Sequence, residues 1–220
     1  MKNGKNRDEL YEFLIECSRN NNIEKWNRWR AEHLEDKIDL SHRNLSHLDL
    51  SSINLTDTDL SDANLSFSNL NRAKVFNSNL SNANLSHSNL SSSKFGNSKL
   101  SGASIRSSNL YRSKFNYSNI SEVDLSYSQI IETDFSNSSI DRVDFFKSSL
   151  QKVNFKDTKL QKVSFNSASL YRVDFRNSSR IEELTLLNAE LTTVNICKSL
   201  VDEVDLLNAN TVYLNIINEC

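Results

Sequence analysis

The sequence predicts an all-β solenoid, a rod of short strands wound into stacked coils, and two regularities indicate this class. From Leu40 to Phe175 every fifth residue is Leu, Ile, Val or Phe, 28 times in succession. Two residues before each of these lies a second, usually smaller residue, as at Ala63 and Ser68. A period of five fits neither an amphipathic helix nor one long strand. A short strand followed by a corner, with two inward side chains per pentad, does fit.

The period changes phase once, near the end of the chain. Arg180 interrupts it, and it resumes one residue late at Ile181, continuing as eight further pentads to Ile216. We therefore assign residues 38–220 to the solenoid, with a one-residue insertion near residues 176–180. Residues 1–37 lie outside the period and form a separate N-terminal segment.

The repeats themselves carry a family resemblance. The segments SDANLSFSNL and NLSNANLSHSNL, at residues 61–70 and 79–90, resemble the pentapeptide-repeat family, whose pattern is A(D/N)LXX. The resemblance covers about residues 38–217, although later pentads such as KVNFK and KVSFN depart from the pattern by carrying Val and Phe. It implies a right-handed quadrilateral β-helix with four pentads per coil. The 36 pentads then give about nine coils, a rod about 40 Å long at a strand spacing of about 4.8 Å.

Sorting the pentads onto four walls tests the square geometry. Phenylalanine then falls on two opposite walls, and Ser or Thr fills the small inward position of the other two. A buried hydroxyl without a partner costs about 1–3 kcal/mol, so we expect these hydroxyls to bond backbone groups of a neighbouring coil. The Phe columns are Phe95, Phe115, Phe135, Phe155 and Phe175, facing Phe145 and Phe165; the hydroxyl columns include Thr58, Ser78, Ser98, Ser118, Ser138, Thr158 and Ser179, and Ser68, Ser88, Ser108, Ser128 and Ser148.

The N-terminal segment has helical spacing and is expected to cap the first coil. A solenoid exposes its core at both ends, and a hydrophobic lid would cover one of them. The run Asn20–Asn22 is expected to divide two helices, with Asn22 as an N-cap. Stretches similar to Trp26–Arg30 precede the repeats in some members of the family. The predicted buried face consists of Leu10, Phe13, Leu14 and Cys17, followed by Ile23 and Trp26.

Composition limits the classes of function. The formal net charge of -2 predicts no general attraction to nucleic acid or to an anionic membrane. Cys17, Cys197 and Cys220 form no CxxC pair and leave an odd thiol, so neither a disulfide framework nor a zinc site is expected. No apolar run has the length of a signal peptide core or a membrane span. We expect a soluble, cytoplasmic protein.

Enzymatic chemistry is not predicted. Ser, Asp and His are all present, but a nucleophilic triad needs a concave pocket, which a filled rod does not offer. Metal binding by His42 and His47 is disfavoured because adjacent pentads point their corners about 90° apart. We predict no catalytic, cofactor or metal site.

The outward positions near the C-terminus suggest an interface. Phe146, Asn166, Leu187 and Leu207 form an outward column in which three large apolar residues align, and such columns usually mark an interface. The bulky residues of the last coils predict a two-fold dimer joined through those coils, which many members of the family also form. The column could serve the dimer or another partner. The predicted interface comprises Phe146, Leu187, Leu207, Leu214, Ile216 and Ile217.

Charge distribution leaves two functions open. The best-known activity of the family is binding to type II topoisomerases by mimicry of DNA, so the resemblance allows DNA gyrase as a partner. The acidic C-terminal surface favours mimicry, whereas the net positive middle coils favour a general protein-interaction rod with an unknown partner. Arg112, Glu132, Lys152 and Arg172 align on one edge and predict alternating ion pairs rather than a nucleic-acid track. The acidic surface consists of Glu182, Glu183, Asp202, Glu203 and Asp205.

Overall fold

The structure, a computed structural model, describes residues 5–178, 180–197 and 204–217. Two helices, α1 (Arg7–Arg19) and α2 (Ile23–Glu32), precede a parallel β-solenoid whose early corners and walls are turns and single bridges. Longer strands appear in the second half. The strands are β1 (Ile38–Asp39), β2 (Thr58–Asp59), β3 (Asn119–Ser121), β4 (Gln129–Ile131), β5 (Ser139–Asp141), β6 (Ser149–Gln151), β7 (Lys159–Ser164), β8 (Ser169–Asp174), β9 (Arg180–Thr185), β10 (Glu190–Cys197), β11 (Val204–Asp205), β12 (Asn210–Thr211) and β13 (Leu214–Ile217).

Parallel pairing between coils confirms the predicted solenoid. On one wall the pairing continues without interruption through nine rungs, separated by eight turns. Each step is 20 residues as far as Ser169, which pairs with Glu190 at a distance of 21 residues. Lys159 likewise pairs with Arg180, so one extra residue is accommodated between the two coils. The nine rungs are Asp49, Asn69, Asn89, Asn109, Gln129, Ser149, Ser169, Glu190 and Asn210.

Each described corner from His42 to Asn208 has one residue in the left-handed region. Phe67 has φ 59° and Tyr127 has φ 60°, values that cost an L-residue about 1–2 kcal/mol. The N–H of Phe67 donates to the carbonyl of Ser86 in the next coil at 3.0 Å, and the N–H of Tyr127 donates to Phe146 at 2.8 Å. Inter-coil hydrogen bonds therefore hold the corners in an unfavourable conformation. Gly102 occupies one such corner with φ 72°, and a Cβ there would overlap the side chain of Asn82.

The interior contains the predicted phenylalanine columns. Phe135 stacks on Phe115 and on Phe155, with ring centroids 5.2 Å apart in both pairs. Phe145 faces Phe155 across the coil edge to face, at 5.9 Å and 89°. All of these rings are fully buried. Stacked contacts along the axis and perpendicular contacts across it fill the square, as the wall assignment predicted.

The buried hydroxyls form the predicted ladders. Ser98 Oγ donates to the carbonyl of Val75 in the preceding coil at 2.8 Å and accepts the N–H of Ser78 at 3.1 Å. Ser148 repeats this on the opposite wall, donating to Leu125 at 2.7 Å and accepting from Ser128 at 3.3 Å. At the insertion it is Ser178 that is buried, with its Oγ 3.1 Å from the carbonyl of Phe155, and the predicted Ser179 lies outside the described residues.

The two helices cap the first coil, as predicted. Asn22 caps α2 by accepting the N–H of Lys25. The predicted face needs correction: Ile15 is buried, whereas Ile23 and Phe13 are only half-buried. The ring of Phe13 packs against Trp26 and Trp29.

Side chains of the cap also satisfy backbone groups that have no coil below them. Trp26 Nε1 donates to the carbonyl of Asn54 at 2.9 Å, and Ser18 Oγ donates to that of Asp49 at 2.9 Å. The buried Arg30 donates to the carbonyl of Thr56 at 3.1 Å. The cap is therefore a polar replacement for the missing coil as well as an apolar lid.

The two adjacent residues Ser148 and Ser149 test the hydroxyl ladder. Ser148 is buried and bonded at both sides, whereas Ser149 is exposed. We expect Ser148→Ala to lower the free energy of unfolding by about 1–3 kcal/mol, because a carbonyl and an N–H lose their partner. Ser149→Ala should change it by less than about 0.5 kcal/mol. Urea denaturation of both variants measures this, and equal effects would contradict the ladder's role.

Candidate interaction surface

The histidines and carboxylates of the described residues do not form a metal centre. No group of three or more His, Cys, Asp or Glu converges within that part of the chain. The structure separates His42 from His47: His42 Nε2 lies 3.9 Å from Asp62, and His47 stacks on Phe67. Among the described residues, no helix has the length and hydropathy to cross a bilayer.

Flat side chains line one corner of the square through many coils. His47, Phe67 and His87 are corner residues one coil apart, and their rings stack with centroids 5.0 and 4.7 Å apart and planes within 6°. Further along, the guanidinium of Arg106 lies 4.2 Å over the ring of Tyr127. We call this surface the aromatic edge; it comprises His47, Phe67, His87, Arg106, Tyr127, Phe146 and Lys147.

Backbone hydrogen bonds show that these residues share one corner. The corner amide of His87 donates to Arg106, that of Tyr127 to Phe146, and that of Lys147 to Asn166. Beyond the insertion the same series continues, since Ser167 donates to Leu187 and Asn188 donates to Leu207. The predicted outward column is thus the continuation of the aromatic edge.

The predicted interface residues differ in exposure. Leu207 is 64% exposed, but Phe146 is half-buried because its ring packs edge-on against Tyr127 at 5.6 Å beneath Lys147. Leu187 and Leu214 are also half-buried. Ile216 and Ile217 belong to β13, and their side chains lie outside the described part of the structure.

Sequence analysis missed the aromatic residues of the earlier coils. Phe67 is 53% and Tyr127 42% exposed, and both occupy left-handed corner positions. Each corner comprises two residues. The second of them, taken in every fourth pentad, places His47, Phe67, His87 and Tyr127 in one column. Phe146 is the first of the two residues at its corner, whereas these four residues are each the second.

The predicted acidic surface is partly neutralised. Glu183 lies 3.6 Å from Lys162, and the side chain of Asp205 accepts the N–H of Leu207. Glu182 is half-buried. Asp202 and Glu203 lie outside the described residues.

The charged edge, which consists of Arg112, Glu132, Lys152 and Arg172, contains the predicted ion pairs with one exception. Arg112 Nε lies 2.7 Å from Glu132, and Lys152 Nζ lies 3.4 Å from the same carboxylate. Hydrogen bonds from Arg112 and then Lys152 lower the pKa of Glu132. Arg172 does not continue the alternation, because its guanidinium lies over the ring of Tyr171 at 5.2 Å.

A square parallel β-solenoid with a filled core and side-chain columns on its corners defines the class of protein. Family models agree with this: one described as pentapeptide repeats (8 copies) matches residues 38–75 and 68–106, and one described as a pentapeptide repeat region matches residues 88–165. The chain belongs to the pentapeptide-repeat family.

Solved structures of this family are similar to the chain in fold only. HetL from the cyanobacterium Nostoc, involved in regulating heterocyst differentiation, is 17% identical over 79% of this chain and 85% of its own, with a TM-score of 0.46. QnrB1, a plasmid-mediated fluoroquinolone resistance protein, is 16% identical over 80% and 92%, with a TM-score of 0.37. A thylakoid-lumen protein of Arabidopsis thaliana is 22% identical over 49% and 64%, with a TM-score of 0.35. Among curated proteins, none matches the sequence.

The carboxylate of Glu132 provides a test of the charged edge by pH. Since its pKa is lowered in the folded state, its stabilising contribution is present above the ordinary pKa of about 4.3 and is lost as pH falls through the lowered value. We expect Arg112→Gln to raise this pKa, as measured by NMR titration of the carboxylate carbon. Arg72→Gln, two coils from Arg112 on the same corner, is the control. An equal pKa in all three proteins would show that the ion pair does not form in solution.

Proposed function

We propose that this protein is a non-enzymatic interaction rod that binds a protein partner through the aromatic edge. The observation that carries the proposal is the alignment of large, partly exposed flat side chains along one corner, from His47 to Lys147. Contiguous exposed apolar surface usually marks an interaction site. Aromatic residues and Arg are also the side chains enriched at the centre of protein interfaces.

The rod presents these side chains in a fixed arrangement. Phe67 and Tyr127 project from corners whose amides are bonded to the next coil, and their rings contact a neighbour one coil away. Little side-chain entropy remains to be lost when a partner binds. The interior supports binding rather than catalysis as the role, because apolar side chains and bonded hydroxyls fill it.

Dimerisation through the C-terminal coils belongs to the same proposal. Leu207 continues the aromatic edge into those coils, where it is the most exposed leucine of the described residues. An edge of this length could bind a second copy at its C-terminal end and another protein along its earlier coils. We place the protein in the cytoplasm on the basis of its composition.

Photo-crosslinking tests the aromatic edge as an interface. A benzoylphenylalanine at position 67 or 127 should form a discrete adduct with a partner protein in the native cell, identified by mass spectrometry. The same group at position 177, an exposed residue on the opposite corner, should not. A benzoylphenylalanine at position 207 should yield an adduct of twice the chain mass if the dimer forms. Adducts of equal yield at positions 67, 127 and 177, or none at either edge position, would overturn the proposal.

Binding to DNA gyrase is the second candidate, favoured by the acidic residues of the last coils. The pairing of Glu183 with Lys162 and the exposed lysines of the middle coils argue against a continuous acidic face. If gyrase is the partner, the purified protein should change supercoiling of relaxed plasmid at tens of micromolar. Unchanged supercoiling in the presence of the folded rod would exclude this candidate.

A further inference from the structure

A second surface lies diagonally opposite the aromatic edge, two corners further round each coil. Lys74, Lys94 and Lys114 occupy the same outward position in three consecutive coils, and parallel bridges pair Lys74 with Lys94 and Lys94 with Lys114. All three side chains are exposed. Within the described residues, no carboxylate lies within ion-pair distance of any of the three ammonium groups. We call this surface the lysine column.

In several other coils the equivalent outward position carries amides and carboxylates bonded to each other. Asn69 donates to Asp49 at 3.0 Å and Asn89 donates to Asn69 at 3.2 Å on a neighbouring wall. On the same wall as the lysines, Asn154 donates to Asp134 at 3.0 Å. Like charges directly opposite on paired strands are destabilising. The lysine column thus replaces a favourable ladder with mutual repulsion, which is offset only at its end, where Asp134 lies opposite Lys114 on the paired strand.

The corner beside the lysine column carries two aromatic residues and no charge in the same three coils. Phe76 is 46% and Tyr117 62% exposed there. Gly96 lies between them in the intermediate coil, and a Cβ at this position would lie 3.2 Å from Cε2 of Phe76 and from the carbonyl of Asn116. Glycine therefore allows the ring of Phe76 to rest against the next coil. Lys99, exposed on the far side of the corner, adds a fourth positive charge.

We propose that the lysine column and its aromatic corner bind an acidic amphipathic helix of a partner protein. Three lysines rise by about 4.8 Å per coil. Side chains three or four apart on one face of a helix are separated by about 5–6 Å at Cβ. A helix lying along the rod would thus set two or three carboxylates against the ammonium groups and direct adjacent apolar residues at Phe76 and Tyr117.

The length of the positive surface favours a short helix over a nucleic-acid strand. The column spans about 10 Å, close to two helical turns. Asn54 precedes it next to the N-terminal cap, and Asp134 follows it, paired with Lys114 in the strand ladder. A longer phosphate backbone following this wall would meet the carboxylate of Asp134 and then that of Asp174. The site is independent of the aromatic edge, so both could be occupied together.

Fluorescence anisotropy with the full chain and a labelled helical peptide tests this proposal. The peptide carries Glu at positions i, i+4 and i+7 with Leu on the flanking face, and a scrambled peptide of the same composition serves as the ligand control. The triple variant Lys74→Gln, Lys94→Gln, Lys114→Gln should weaken binding at low salt at least about tenfold. Lys152→Gln, Lys156→Gln, Lys162→Gln removes the same charge from three ion-paired lysines and should weaken it less than about threefold.

Two further measurements keep the result interpretable. The melting temperature of the lysine-column variant should equal or exceed that of the wild type, because two like-charge pairs are removed and only one opposite-charge pair, Lys114 with Asp134, is lost. Phe67→Ser, on the aromatic edge, should leave peptide binding unchanged, which separates this site from the proposed function. No binding by the wild type, equal binding of the scrambled peptide, or tighter binding of an oligothymidine strand that the same triple variant abolishes would overturn the proposal.

Discussion

The parallel hydrogen bonds between successive coils are the constraint on which the rest of this structure depends. Leu45 donates to Asn64 at 2.7 Å, and Asn64 donates back to Arg43 at 2.9 Å, so each coil is fixed in register with the next. The same bonds hold the corner residues in the left-handed region against its intrinsic cost. Within the described coils, a side chain between the two ends of the rod consequently has stacked neighbours one coil before and one coil after it in the chain.

Because neighbours are fixed in this way, columns rather than single residues determine the energetics. Stacked rings, bonded hydroxyls and bonded amides each stabilise the rod by repeating one favourable contact. Columns on the surface that depart from this rule are informative about function. The aromatic edge leaves the edges of its rings open to solvent, and the lysine column repeats an unfavourable contact.

The inward half of the molecule could be predicted from the sequence, whereas much of the surface could not. Two inward residues per pentad follow from strand geometry alone, so the positions of Phe145, Phe155 and Ser148 needed no knowledge of other side chains. Exposure of an outward residue depends on what the adjacent coils carry. Phe146 is covered because Tyr127 lies one coil before it and Lys147 lies beside it. In the cap, Ile15 is buried and Phe13 only half-buried, with the ring of Phe13 against two tryptophans of the second helix.

The extra residue between the coils of Phe155 and Ile181 shifts the phase of the sequence repeat but leaves the pairing of the strands unchanged. In space, the walls continue unchanged: Val163 still pairs with Leu184, and Ser164 with Thr185. Along the chain, the phase of the repeat is shifted by one, and the family models match only as far as residue 165. The change of phase falls between Ser178, whose hydroxyl still lies 3.1 Å from the carbonyl of Phe155, and Arg180, which pairs with Lys159. The corner before it keeps its left-handed residue, Asn177, and the later walls follow the repeat in a new phase. A sequence repeat that loses its phase can therefore still specify one uninterrupted series of paired strands.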